Sequence, residues 1–127
     1  MIKKTLVITG LMAQFVLVPA AFSMSCNNPI NAYDRTYCAS LKMTQLDKEI
    51  NEQYGKTIKV LKPEQKKEVK QAQIQWIRAR DNECSNGGTV AVNCVNDKMT
   101  ARIELLKSIE TECSSSGCDK ALLSKVE

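Results

Sequence analysis

Two stretches of this chain carry the side chains with the most chemical potential. Gln73, Trp76, Arg80, Asp81 and Cys84 follow one another at steps of 3, 4, 1 and 3, and Asp47, Ile50, Asn51 and Tyr54 at steps of 3, 1 and 3. On a helix, Gln73, Trp76, Arg80 and Cys84 share one stripe, with Asp81 at its edge, and the earlier set forms a second mixed stripe. An arginine on a largely apolar stripe needs an acceptor once it is buried. Arg80 therefore calls for a carboxylate or carbonyl nearby, with Asp47 and Asp81 as the candidates, and the two stripes are expected to face each other. Such a pairing of Trp, Gln, Arg and Asn is more often a satisfied core network than a binding site. Lys66, Lys67 and Lys70 read as a solvated face, and the Glu49/Glu52 pair is ordinary on a charged helix surface.

Catalytic machinery is not visible. The chain has no histidine, and it contains no Cys-x-x-Cys pair, nucleophile elbow or glycine-rich phosphate loop. The expectation is a non-catalytic protein without cofactor or metal.

The elements that must hold these residues are helical, because the apolar spacing never settles into alternation. Asn31 and Asp34 are placed to cap a first turn. From about Ala39 to Leu61, the apolar positions Met43, Leu46, Ile50, Tyr54, Ile58 and Leu61 recur every three or four residues, the face of an amphipathic helix. Pro63 interrupts that helix and suits the first turn of the next, although Lys62 is a poor N-cap. The second helix is expected to run to Cys84 with Val69, Ala72, Gln73, Trp76, Ile77, Arg80 and Cys84 on its inner face. Ser85-Asn86-Gly87-Gly88-Thr89 is a turn signal. A third helix is expected from about Val95 to Glu112, burying Val95, Met99, Ile103, Leu106 and Ile109, and Asp119 caps a last short turn. The fold expected is all-α, a small up-down-up three-helix bundle stapled by disulfides.

Residues 1–23 read as a cleavable secretory signal. Lys3 and Lys4 precede an apolar run from Leu6 to Val18, Pro19 ends it, and Ala21-Phe22-Ser23 supplies the small residues of a cleavage site. The run is too short to span a bilayer stably. Ser23 stands three residues before Cys26, where a lipid-anchoring signal needs a leucine or branched residue, so no membrane attachment is expected after cleavage. The expected mature domain is 24–127. Cleavage removes two of the 18 basic residues and none of the 14 acidic ones, leaving 16 against 14, net +2. That near-neutral balance does not suggest nucleic-acid binding.

All six cysteines lie in the mature part: Cys26, Cys38, Cys84, Cys94, Cys113 and Cys118. An even number in a small exported domain reads as a disulfide framework. In an up-down-up bundle Cys113 and Cys118 share one pole and are expected to pair. Cys38, Cys84 and Cys94 gather at the other pole with Cys26, and three pairings among those four remain open.

The run Asp47-x-x-Ile50-Asn51-x-x-Tyr54, then Gln73-x-x-Trp76-x-x-x-Arg80-Asp81-x-x-Cys84, then Cys94 with Arg102 eight residues on, resembles the LprI-like lysozyme-inhibitor N-terminal domain family. The resemblance covers about Cys26 to Leu106. It departs at Met99, where the family usually has a threonine three residues before the arginine, and the Cys113–Cys118 tail looks like an addition. The resemblance implies a small helical bacterial envelope protein, periplasmic or secreted. It also implies a protein partner, namely a lysozyme or other peptidoglycan hydrolase that it inhibits.

An inhibitor of that kind need only present a rigid loop to a substrate cleft, where catalytic carboxylates wait. Ser85, Asn86, Gly87, Gly88 and Thr89, within the loop to Asn93, are the expected contact, with Asp81 and Glu83 beside them as a local acidic patch. Animal lysozymes are strongly basic, and a net charge near +2 offers little steering toward them. A less basic muramidase, or a toxin delivered into the envelope, fits this charge better. An envelope adaptor or immunity-type binding protein is the competing expectation.

Overall fold

The computed structural model describes residues 25–127, so the expected signal segment lies outside the described residues. Four helices and one small hairpin follow in order: α1 (Ala32–Lys59), α2 (Pro63–Cys84), β1 (Ser85–Asn86), β2 (Thr89–Val90), α3 (Val92–Ser115) and α4 (Lys120–Leu123). The protein is all-α in class, with three long helices, as expected. None of the described helices is long and apolar enough to cross a membrane.

Asn31 caps α1, its side-chain oxygen accepting the Asp34 backbone N–H at 2.8 Å. The capping was legible; its consequence was not. The expected separate first turn is continuous with the helix, which starts at Ala32 rather than near Ala39, since nothing between them breaks the hydrogen-bond ladder. Pro63 opens α2 at a position whose N–H would go unused. Gln65 offsets the weak cap by accepting the Lys62 N–H at 2.8 Å.

The connection from α2 to α3 is tighter than a plain loop. β1 and β2 pair antiparallel, Ser85 opposite Val90 and Asn86 opposite Thr89. Gly87 and Gly88 form the two-residue turn with φ of 54° and 86°. Both angles lie where only glycine is unstrained, the signature of the turn whose twist matches a hairpin. Helix α3 then begins at Val92, so Asn93 belongs to a helix and not to the loop.

Helices α1 and α3 run in the same direction: Asn96 reaches the Ala39 carbonyl at 3.0 Å, and Gln53 reaches Glu110. Helix α2 runs the other way, with Glu83 beside Lys98 and Gln73 beside Arg102. The topology is up-down-up, with α4 returning to the start of α2 through Lys120 and Glu68 at 3.6 Å. Leu46, Ile50, Leu61, Val69, Trp76, Val95, Met99, Ile103, Leu106, Ile109 and Leu123 form one core. Each such aliphatic side chain contributes about 1.5–3 kcal/mol on full burial.

One expectation about packing fails. The stripes on α1 and α2 do not grip each other; α1 packs chiefly along α3. Helix α3 buries residues on a broad face, from Val95 to Ile109, and that face takes up both neighbours. Ile77, expected inside, is 38 % exposed, because α2 meets the core along a narrow stripe of Val69, Ala72, Trp76 and Cys84.

The disulfides are Cys26–Cys38, Cys84–Cys94 and Cys113–Cys118. The third is the pair expected at the far pole. The first two resolve the open choice: each joins cysteines close in sequence, fastening the lead-in to α1 and the base of the hairpin. Gly117, at φ 97°, lets the chain turn back after α3.

Candidate functional site

The motif residues part company in space. Trp76 and Arg102 are buried, at 3 % and 2 % exposure. Gln73, Arg80 and Tyr54 are half-buried, while Asp47, Asn51 and Asp81 stand exposed. Gln73 does not turn to α1. Its side-chain oxygen accepts from Arg102 Nε at 2.7 Å. Arg80 finds its acceptor in its own neighbour, donating from Nε and Nη2 to Asp81 at 2.9 and 2.8 Å. Both guanidiniums lie by the Trp76 ring, Arg80 at 5.3 Å and Arg102 at 5.9 Å from its centroid, within range of a cation–π attraction. The interior network thus runs Gln73–Arg102–Trp76–Arg80. Asp47 joins it only as part of the wall of a groove shared with Arg80, Asp81, Met43, Val90 and Met99.

Burial pushes the Arg102 guanidinium down to about 10, against a smaller opposing influence from Tyr54, so it stays charged at neutral pH. Burial likewise raises the Tyr54 phenol, and the Arg102 charge opposes that shift.

A second polar cluster was not anticipated. Gln53 and Thr57 are buried on α1. Thr57 Oγ1 donates to the Leu106 carbonyl at 2.8 Å, and Gln53 donates to Thr57 at 3.2 Å and to Glu110. Both fall on the inner face of α1 by helical spacing, the one signal available beforehand. They clasp α1 to α3.

The expected partner-binding residues gather at the pole opposite Cys113–Cys118. Ser85, Asn86, Gly87, Gly88 and Thr89 are all exposed. Thr89 Oγ1 donates to the Asn86 carbonyl at 2.7 Å, and the Ala91 N–H extends the ladder to the Cys84 carbonyl at 2.8 Å. With Cys84–Cys94 at its base, the hairpin is held from both sides. The flanking acids are already engaged: Asp81 with Arg80, and Glu83 with Lys98, which also pairs with Glu127 at 2.6 Å. These two side-chain carboxylates raise the Lys98 ammonium above its usual range.

Sequence reasoning missed the apolar surface at this pole. Val90 is 56 % exposed on β2, Tyr33, Tyr37 and Leu41 form an outward stripe along the start of α1, and Ile30 is exposed just before that helix. The four-residue spacing of Tyr33, Tyr37 and Leu41 was the available sign. Ala32 and Thr36 of α1 border the same surface recess as Val90 and Val92, so the first turns of α1 flank the hairpin.

Residues 26–106 match the model of the family described as Lysozyme inhibitor LprI. The match spans both motif stretches, two disulfides and the hairpin. This chain belongs to the LprI family. The part beyond Leu106, with Cys113–Cys118 and α4, lies outside the matched LprI region. No curated protein and no solved structure matches the chain.

Proposed function

We propose that residues 1–23 direct export, and that residues 24–127 form a bacterial envelope protein that binds and inhibits a lysozyme-type muramidase without catalysis of its own. The observation that carries this reading is the exposed, disulfide-closed hairpin Ser85–Val90 in a chain of the LprI family. A cleft-blocking element has to be narrow, exposed and already ordered, because ordering a loop on docking subtracts from affinity. The hairpin has these properties. Three disulfides among the described residues fit an oxidising compartment.

Ser85, Asn86, Gly87, Gly88 and Thr89 make the contact in this reading, with Asp81 and Glu83 at its edge and Val90 adding apolar area. Because Asp81 and Glu83 each have a cation at hand, their field is locally cancelled. A weakly basic muramidase is therefore the favoured target over a strongly basic one.

The test measures lysis of a cell-wall suspension, and surface-based binding kinetics, with the mature protein against muramidases of differing charge. Inhibition by the wild type, lost on Asn86→Arg with Thr89→Glu at unchanged melting, is the expected result. No binding to any muramidase would move the assignment to an envelope adaptor or immunity-type protein; full inhibition by the hairpin variant would remove the hairpin.

A further inference from the structure

Helix α2 has three sides with different surroundings. Val69, Ala72, Trp76 and Cys84 face the core. Glu68, Gln71 and Gln75 share a recess with Lys120 and Ser124, so α4 lies along the next flank. The remaining side is open to solvent and bears Lys66, Lys67, Lys70, Ile74, Ile77 and Arg78, all exposed. Steps of 3, 4 and 4 carry Lys67 through Lys70 and Ile74 to Arg78 along one line of the helix. Lys66 and Ile77 fall just beside that line. At 1.5 Å per residue the stripe from Lys66 to Arg78 is about 18 Å long.

None of these four cations stands in an ion pair among the described residues. Between Gln65 and Arg80 the one acidic residue is Glu68, and it turns aside to Lys120 at 3.6 Å. Asp81, paired with Arg80, ends the stripe. A single unpaired surface lysine is ordinary, but four cations on one face with no carboxylate among them sum to a directed field. The net charge of +2 expected for residues 24–127 conceals it. Lysines alone would suit any polyanion. Ile74 and Ile77, 42 % and 38 % exposed between the lysines and Arg78, narrow the choice. Branched aliphatic side chains gain little from a hydrated polymer and much from the boundary between lipid headgroups and acyl chains.

We propose that the outer face of α2 docks this protein on a membrane surface rich in anionic phospholipid. Lys66, Lys67, Lys70 and Arg78 lie at the headgroups, their aliphatic stems along the interface, and Ile74 and Ile77 reach the acyl boundary. None of the described helices can span a bilayer, so the attachment is peripheral and reversible. It goes beyond the solvated face expected of Lys66, Lys67 and Lys70. It uses no hairpin residue, and it takes from the proposed function only the export that brings the chain to the envelope.

Untagged mature protein is sedimented with vesicles of phosphatidylcholine alone and of phosphatidylcholine mixed with phosphatidylglycerol, at low and high salt. Muramidase plays no part in this assay, so its outcome is separate from that of the inhibition test. The mixed vesicles should bind about a hundredfold tighter, at about fivefold per cation, and the advantage should shrink as salt rises. Lys66→Gln, Lys67→Gln and Lys70→Gln together should lose about a hundredfold with melting unchanged, since all three side chains are exposed. Lys42→Gln, Lys48→Gln and Lys107→Gln remove the same charge from α1 and α3 and should leave binding nearly intact. Ile74→Ser with Ile77→Ser should weaken vesicle binding about tenfold and leave retention on heparin, a soluble polyanion, unchanged. Equal binding to the two kinds of vesicle, or to neither, overturns the proposal. So does an equal loss from the two lysine sets, which would reduce the effect to net charge, or undiminished vesicle binding by the isoleucine variant, which would leave a polyanion rather than a lipid surface.

Discussion

Helix α2 leads into two regions of opposite character within a few residues. Around Trp76 its side chains enter the interior and meet Arg102; from Ser85 onward the chain is exposed through to Ala91. The first region holds the most recognisable residues and has little surface for a partner. The second is built of small polar residues and glycines, and its shape comes from a turn type and a disulfide rather than from packing. The family signature here therefore marks what the fold needs, whereas the exposed hairpin is written in residues common to turns.

Substitutions that separate the two regions should grade from large to small. Trp76→Ala removes the ring shared by α2, Arg80 and Arg102, and should cost about 3–5 kcal/mol of stability. Urea denaturation measures it. A midpoint that barely moves would mean that the interior region does not hold the fold. Replacing Cys84 and Cys94 together by serine frees the hairpin base. The loss expected is about 2–3 kcal/mol from loop closure, accompanied by weaker muramidase inhibition. The same change at Cys113 and Cys118, at the opposite pole, should leave inhibition intact, and equal loss of inhibition from both would erase the distinction between the poles.

Gln73→Leu leaves Arg102 Nε without its acceptor, and should destabilise the protein by about 1–3 kcal/mol while hairpin binding persists at the temperature where the variant is folded. The smallest effect on stability is expected at the hairpin itself. Asn86→Arg with Thr89→Glu should change stability by no more than about 0.5 kcal/mol, yet abolish muramidase binding. Calorimetry and surface kinetics on one sample would show the two properties parting. At the hairpin's edge, Asp81→Asn and Glu83→Gln should slow association slightly and leave dissociation unchanged, with the difference vanishing at high salt.

How much of this was legible depends on the range of the interaction. The α2 start at Pro63, the Asn31 and Asp119 caps, the inner faces of α1 and α3, and the Cys113–Cys118 pair follow from spacings of a few residues, where helix geometry leaves little freedom. The Gly87-Gly88 dipeptide was read as a turn; that two residues on either side would pair as strands was not, since so short a ladder depends on Cys84–Cys94 drawing its ends together. The burial of Trp76 was readable from its stripe, but its neighbours were not.

Sequence by itself determined the helical class, the three long helices, the family to which their motif belongs and the stretch that would stand out between α2 and α3, because each rests on local periodicity or on contiguous residue patterns. Tertiary structure alone decided who partners whom. Gln73 binds Arg102 rather than α1, Arg80 settles on Asp81, and Gln53 and Thr57 fasten α1 to α3. The reason is geometric. Helical spacing says which side chains share a face, but the acceptor that a buried donor meets is set by the rotation and offset of the neighbouring helix, and those are fixed by how the whole core fills.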